Sequence, residues 1–292
     1  MSASLLVDAR ASLGEGVLWC ERTGCLWWTD IQGRTLARRR QADGEVRMWT
    51  VPDRVGSFAL CAQGEQLLLG LAAGIGLFDP ATGETSRFVP LDAPPFEGLR
   101  INDGRCDREG RFVFGLFNPA EAPVGHFYRV HADLRIERLP LPPAGVANSL
   151  AFSPDGRTLY FTDTPSRTVF RVDYAVDGSL GEPVPFVKVP PSEGFPDGST
   201  VDAAGGLWNA QWDGGCVVRY DRHGSESARI LLPVSRPTCP AFGGPDLETL
   251  YITSARIGIP AEGLVRQPHA GGVFAAQPGW RGLPESRFVL GA

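Results

Sequence analysis

The chain has 292 residues, 43% of them hydrophobic, and a formal charge of −5. That is enough apolar material for a sizeable core, and 36 Gly with 25 Pro suit short strands and turns better than helices. The 28 Lys and Arg are scattered, no apolar run nears the roughly 18 residues of a membrane span, and no Cys-x-x-Cys pair occurs, so neither nucleic-acid binding, a spanning helix nor a zinc ribbon is expected. The start, MSASLLVDAR, lacks the basic residues and apolar length of a signal peptide, and a soluble, cytoplasmic, monomeric protein is the expectation.

Taken in chain order, the predicted elements repeat. SLLVDA near the start reads as a strand that closes a ring, beside GGVFAA (271–276) or RFVL (287–290). CERTGCLWWTD and CAQGEQLLLG each join a turn to an apolar strand, and Arg38-Arg39-Arg40 between them reads as a solvated strand edge. Four stronger copies follow: DREGRFVFG, SPDGRTLYFTD, DAAGGLWNA and GGPDLETLYIT. VFRVDY and CVVRYD alternate with period two and end in turns, AVDGSL and DRHGSE. Aligned on the first strand residue (Trp27, Leu67, Phe112, Leu159, Leu207 and Leu250), the copies are spaced by 40, 45, 47, 48 and 43 residues. A repeat of that length with several strands per copy marks a β-propeller blade, whereas two packed sandwiches would show no such spacing. Six copies fill the chain, which predicts an all-β, six-bladed β-propeller as a single domain over residues 1–292. The six cysteines (20, 25, 61, 106, 216 and 239) are expected to be reduced core residues.

The repeat also locates the channel. Ten to twelve residues before each aligned strand lies the start of the preceding, innermost strand, at Glu15, Gly56, Asn102, Asn148, Asp197 and Cys239. Asn and Asp at such points are ordinary turn formers, and a local turn role accounts for each taken alone. Glu15 fits that role badly. Four oxygen-bearing side chains meeting on one axis in a low-dielectric funnel would be unfavourable without a cation among them. Oxygen donors alone suit a hard divalent ion such as Ca²⁺, Mg²⁺ or Mn²⁺, and three protein ligands leave positions open for water and substrate.

LGEG (13–16), RINDG (100–104), ANSLAFSPDGRTLYFTD (147–163), FPDGSTVDAAGGLW (195–208) and CPAFGGPDLETLYIT (239–253) together resemble the regucalcin/gluconolactonase family. The resemblance implies a six-bladed propeller with one divalent metal in the axial channel (Ca, Mn, Zn or Fe) that hydrolyses sugar lactones. It carries the metal ligands onto Glu15, Asn148 and Asp197, and the substrate contacts onto Arg100, Asn102 and Glu121. Ser149 stands where a Gly is common, Val17 where a Pro is usual, and His126 where a small or polar residue is frequent, which makes His126 a candidate for the pocket wall beside its reading as a packed or surface histidine. Among the tryptophans, Trp212 is the best placed to touch a ligand, the others reading as core. Cys239 could line the pocket or be a buried spectator.

A lactone is a cyclic ester whose hydrolysis passes through a tetrahedral oxyanion. A cation can polarise the carbonyl, Asp197 is the candidate general base, and Arg100 with Asn102 can hold sugar hydroxyls. No G-x-S-x-G elbow, H-E-x-x-H pair, P-loop or dinucleotide fingerprint competes. The expected function is hydrolysis of an aldonolactone in a sugar oxidation pathway. The alternative is a calcium-binding regulatory propeller without turnover.

Overall fold

The computed structural model describes residues 1–93 and 97–291. After a short β1 (Ser4–Val7), the chain winds through successive antiparallel sheets. Blade one is β2 (Gly14–Cys20), β3 (Cys25–Asp30), β4 (Thr35–Arg40) and β5 (Val46–Thr50). Blade two is β6 (Val55–Leu60), β7 (Leu67–Leu71), β8 (Gly74–Asp79) and β9 (Glu84–Pro90). Blade three is β10 (Arg100–Cys106), β11 (Phe112–Phe117), β12 (Phe127–Val130) and β13 (Ile136–Arg138). Blade four is β14 (Ala147–Phe152), β15 (Thr158–Asp163), β16 (Thr168–Asp173) and β17 (Val184–Lys188). Blade five is β18 (Phe195–Val201), β19 (Leu207–Trp212), β20 (Cys216–Tyr220) and β21 (Glu226–Leu231). Blade six is β22 (Pro237–Gly243), β23 (Thr249–Ser254) and β24 (Val273–Ala276), with β1 as its outer strand.

The residues aligned in the sequence all fall in the second strand of a blade, and the six axial positions all fall in the first. Each first strand packs against the first strand of the next blade, and β22 packs against β2, closing the ring. Of the two partners expected for SLLVDA, β24 is the one it takes, with Leu5 opposite Phe274. Phe288 of RFVL instead bridges to Cys61 and is fully buried against blades two and three.

Period-two alternation explains why the inner strands are buried on both faces. In β3, Cys25 and Trp27 enter the apolar layer shared with blade two, while Leu26 and Trp28 enter the one shared with blade six. Six such layers separate the six neighbouring pairs of blades. All six cysteines are free and buried. Gly56 is required by close approach: a Cβ there would lie 2.1 Å from the Ile101 carbonyl oxygen of the next blade. Arg40 pairs with Asp43 and Glu45 across its own hairpin turn, and Arg38 stacks over Trp27 and Trp49, so two of the three basic residues are engaged locally. No helix among the described residues is long and apolar enough to cross a membrane.

Candidate active site at the channel mouth

The first strands begin around a cavity of about 360 Å³, the size of a small-molecule pocket. Glu15, Arg100, Asn102, Glu121, Asn148 and Asp197 all line it. They come from blades one, three, four and five, and the ring alone brings them together. Leu13, Phe117, Val146, Pro165 and Phe195 supply an apolar wall, and Trp212 joins it as the sequence suggested. His126 does not: it faces a separate cavity beside Leu91, Tyr128 and Arg138, so the reading of His126 as pocket wall is corrected. Cys239 belongs to the apolar layer between blades six and one and is absent from the pocket wall.

A β-bulge near the start of each first strand aims these side chains. In blades one and four, Glu15 and Asn148 are the last regularly paired residues before the bulge, and the next residues, Gly16 (φ 60°) and Ser149 (φ 63°), are left-handed. In blades three and five, Asn102 and Asp197 lie within the bulge, after Ile101 and Pro196. The single repeat position read from the spacing is therefore two positions one residue apart, because the bulge absorbs the extra residue. Ser149 holds the backbone that a Gly would favour, and its hydroxyl donates to the Asp197 carbonyl at 2.6 Å. Glu121 is also left-handed (φ 56°), and a Cβ on Gly145 would fall 2.0 Å from its carbonyl oxygen.

Two acids that sequence reasoning passed over hold the approach to these strands. Asp30 accepts from the Ser12 and Leu13 N–H groups at 2.8 and 3.0 Å. Asp163 accepts from Gly145 and Val146 at 3.0 and 2.9 Å. The signal was present: both end a Thr-Asp dipeptide, in LWWTD and LYFTD. Asp103 was also missed. It is bound by the N–H groups of Gly104 and Leu150 at 2.8 and 2.7 Å and so ties blade three to blade four.

The electrostatics are dominated by burial. Burial, and then the Asp103 carboxylate, pushes Glu15 up to about 8. Burial raises Asp197 well above the usual carboxylate range, with Glu15 and Asp103 adding to it. Burial lifts Asp103 to about 6 and lowers Arg100 to about 10, the latter resisted by Glu15. Arg100 stacks 4.3 Å from the Phe117 ring centroid. Among the described residues, Glu15 accepts a bond from the adjacent Gly16 N–H alone, and Asp197 is met by the Gly198 backbone alone. Asn148 accepts through Oδ1 from Asn102, which leaves a second lone pair for the cavity. Among the described residues no three His, Cys, Asp or Glu side chains converge, and the Asn148 amide lines the same cavity as Glu15 and Asp197. Two carboxylates and an amide with vacant oxygen positions fit a hard divalent cation.

Comparison with known proteins agrees with the fold. Residues 13–256 match the SMP-30/Gluconolactonase/LRE-like region. The chain is 46% identical to the L-arabinolactonase of Azospirillum brasilense, covering 98% of this chain and 95% of that protein. It is 39% identical to the 6-deoxy-6-sulfogluconolactonase of Pseudomonas putida, with 95% of each covered. The crystal structure of a regucalcin from Agrobacterium tumefaciens, described as a calcium-binding protein, superposes with a TM-score of 0.92 at 32% identity, over 99% of this chain and 97% of that one. With its propeller, its axial oxygen cluster and a match over most of its length, the chain belongs to the SMP-30/gluconolactonase family.

Proposed function

We propose that the protein hydrolyses a sugar lactone to its aldonic acid with one divalent cation held by Glu15, Asn148 and Asp197. The enzyme class, a sugar lactonase, rests on the family and on relatives named as lactonases. The residue roles rest on one observation: the half-buried Glu15 and the buried Asp197, with few protein donors among the described residues, share a cavity with Arg100, Asn102 and Glu121. A bound cation would supply Lewis-acid polarisation of the lactone carbonyl. Asp197, which lines the cavity, accepts the proton of the attacking water. Glu15 is a ligand only. Arg100 lines the cavity, where its guanidinium can donate to a substrate oxygen. Asn102 and Glu121 orient sugar hydroxyls. The apolar wall and Trp212 exclude water from the far face of the ring.

A calcium-binding protein without turnover would need the ion site alone. Substrate-type donors and acceptors on the same wall favour the enzyme. The lactone it takes as substrate places it after a reaction that oxidises a cyclic sugar at its anomeric carbon. Acid release from arabinono-, xylono-, galactono- and gluconolactone tests the reading. Turnover is expected to vanish after chelation and to return with a divalent cation; full activity in metal-stripped protein overturns the metal dependence.

A further inference from the structure

Four hydrogen bonds run along the cavity wall from blade three to blade five, all in one direction. Arg100 Nη1 donates to Asn102 Oδ1 at 2.5 Å, and Asn102 Nδ2 donates to Asn148 Oδ1 at 3.0 Å. Asn148 Nδ2 donates to Thr164 Oγ1 at 2.9 Å, and Thr164 Oγ1 donates to the Pro196 carbonyl at 2.8 Å. A guanidinium has no acceptor and a carbonyl has no donor, so a chain with one at each end has a single consistent polarity. Turning over the Asn148 amide would set its NH₂ against the NH₂ of Asn102. Both hydrogens of Asn102 are already committed, one to Asn148 and one to the Ala147 carbonyl at 2.9 Å. Asn148 is the link that depends on Thr164, the acceptor of its Nδ2.

Thr164 follows β15 directly and opens a short 3₁₀ turn, Thr164–Ser166. Because its hydroxyl hydrogen is spent on Pro196, its oxygen can only accept from Asn148. It also ties the backbone just before Asp197 to blade four. We infer that Thr164 is a positioning residue for the cation site: its hydroxyl holds the Asn148 amide with the oxygen, not the NH₂, presented to the ion. This rests on the proposed metal site and deepens it. Groups that orient ligands are worth roughly 10–100-fold in metal affinity.

The test is Mn²⁺ titration calorimetry on chelator-stripped full-length protein, for wild type, Thr164→Val and Thr164→Ser. Val keeps the shape and removes both bonds; Ser restores the hydroxyl. Thr164→Val is expected to weaken Mn²⁺ binding about 10–100-fold, and Thr164→Ser to return it to the wild-type value. With saturating Mn²⁺ the kcat of Thr164→Val recovers, since occupancy is what is lost. Should Val prevent folding, Thr164→Ala is read in its place, with the same weakening expected. Wild-type affinity in the hydroxyl-free variant, or no rescue by Ser, overturns the inference alone. Absence of Mn²⁺ binding by the wild type overturns the metal site and the inference with it.

Discussion

Asp197 and Asp202 stand five positions apart, Asp197 near the start of β18 and Asp202 just past its end, and they are 5% and 0% exposed. Asp202 accepts five hydrogen bonds: from the N–H groups of Ala204 and Gly206, the Trp208 indole, and Arg219 twice. Asp107, at the matching place after β10, accepts from Glu109 and Arg111 backbone, the Arg111 side chain and the Tyr174 hydroxyl. Among the described residues, Asp197 receives the backbone N–H of its neighbour Gly198 alone. Burial is common to all three. What separates these acids is donor supply: Asp202 and Asp107 are satisfied from within the fold, whereas Asp197 faces the cavity with few protein donors among the described residues.

That contrast can be broken by the same substitution at each end. Asp197→Asn is expected to lower kcat by about 10²–10⁴-fold, the usual contribution of a general base, without loss of thermal stability. If Asp197→Asn turns over like the wild type with its cation bound, the base is elsewhere. Asp202→Asn should do the reverse. It leaves Arg219 buried and unpaired, at a cost of about 3–5 kcal/mol seen in urea unfolding, while the folded fraction keeps its kcat.

Chelation sharpens the comparison through pH. In the metal-free fold Glu15 releases its proton only near 8, against the usual 4.5. Between those values the folded state binds more protons than the unfolded one, so stability falls as pH rises from 4.5 towards 8 and then levels. Asp197, also raised, contributes with the same sign. The metal-free protein should therefore melt lower at pH 8 than at pH 5.5. A cation at 100 times its Kd adds about 2.7 kcal/mol when it binds only the folded state, and the gain should be larger at the higher pH because the ligands are then free of protons. An equal shift in Tm at both values would show that the cation does not compete with these protons. The smallest effect belongs to Ser149→Gly. It relieves a left-handed serine and removes the bond to the Asp197 carbonyl, so the net change in stability should stay within about 1 kcal/mol.

Much of this was legible beforehand, and the particular residues show why. Glu15, Asn102, Asn148 and Asp197 were found by counting back from apolar strands, since a blade is a local unit whose length hardly varies. Arg100 and Glu121 came only through family resemblance: Arg100 begins β10 and Glu121 sits in the loop after β11, so neither shares the repeat register. Thr164 was invisible because its partner Pro196 lies in the next blade. The offsets of ten, eleven and twelve residues hinted at the bulges, but an offset does not say on which side of a bulge a side chain falls.

By itself the sequence determined the blade repeat, the number of blades and, to within two residues, the residues at which each innermost strand starts. All three follow from turn chemistry and alternating apolar residues, which act over a few positions. The tertiary structure decided which of those residues keep an unpaired oxygen, which amide faces which way, and which acids are silenced. Those outcomes depend on donors supplied by neighbouring blades, and only closing the ring brings the donors within reach.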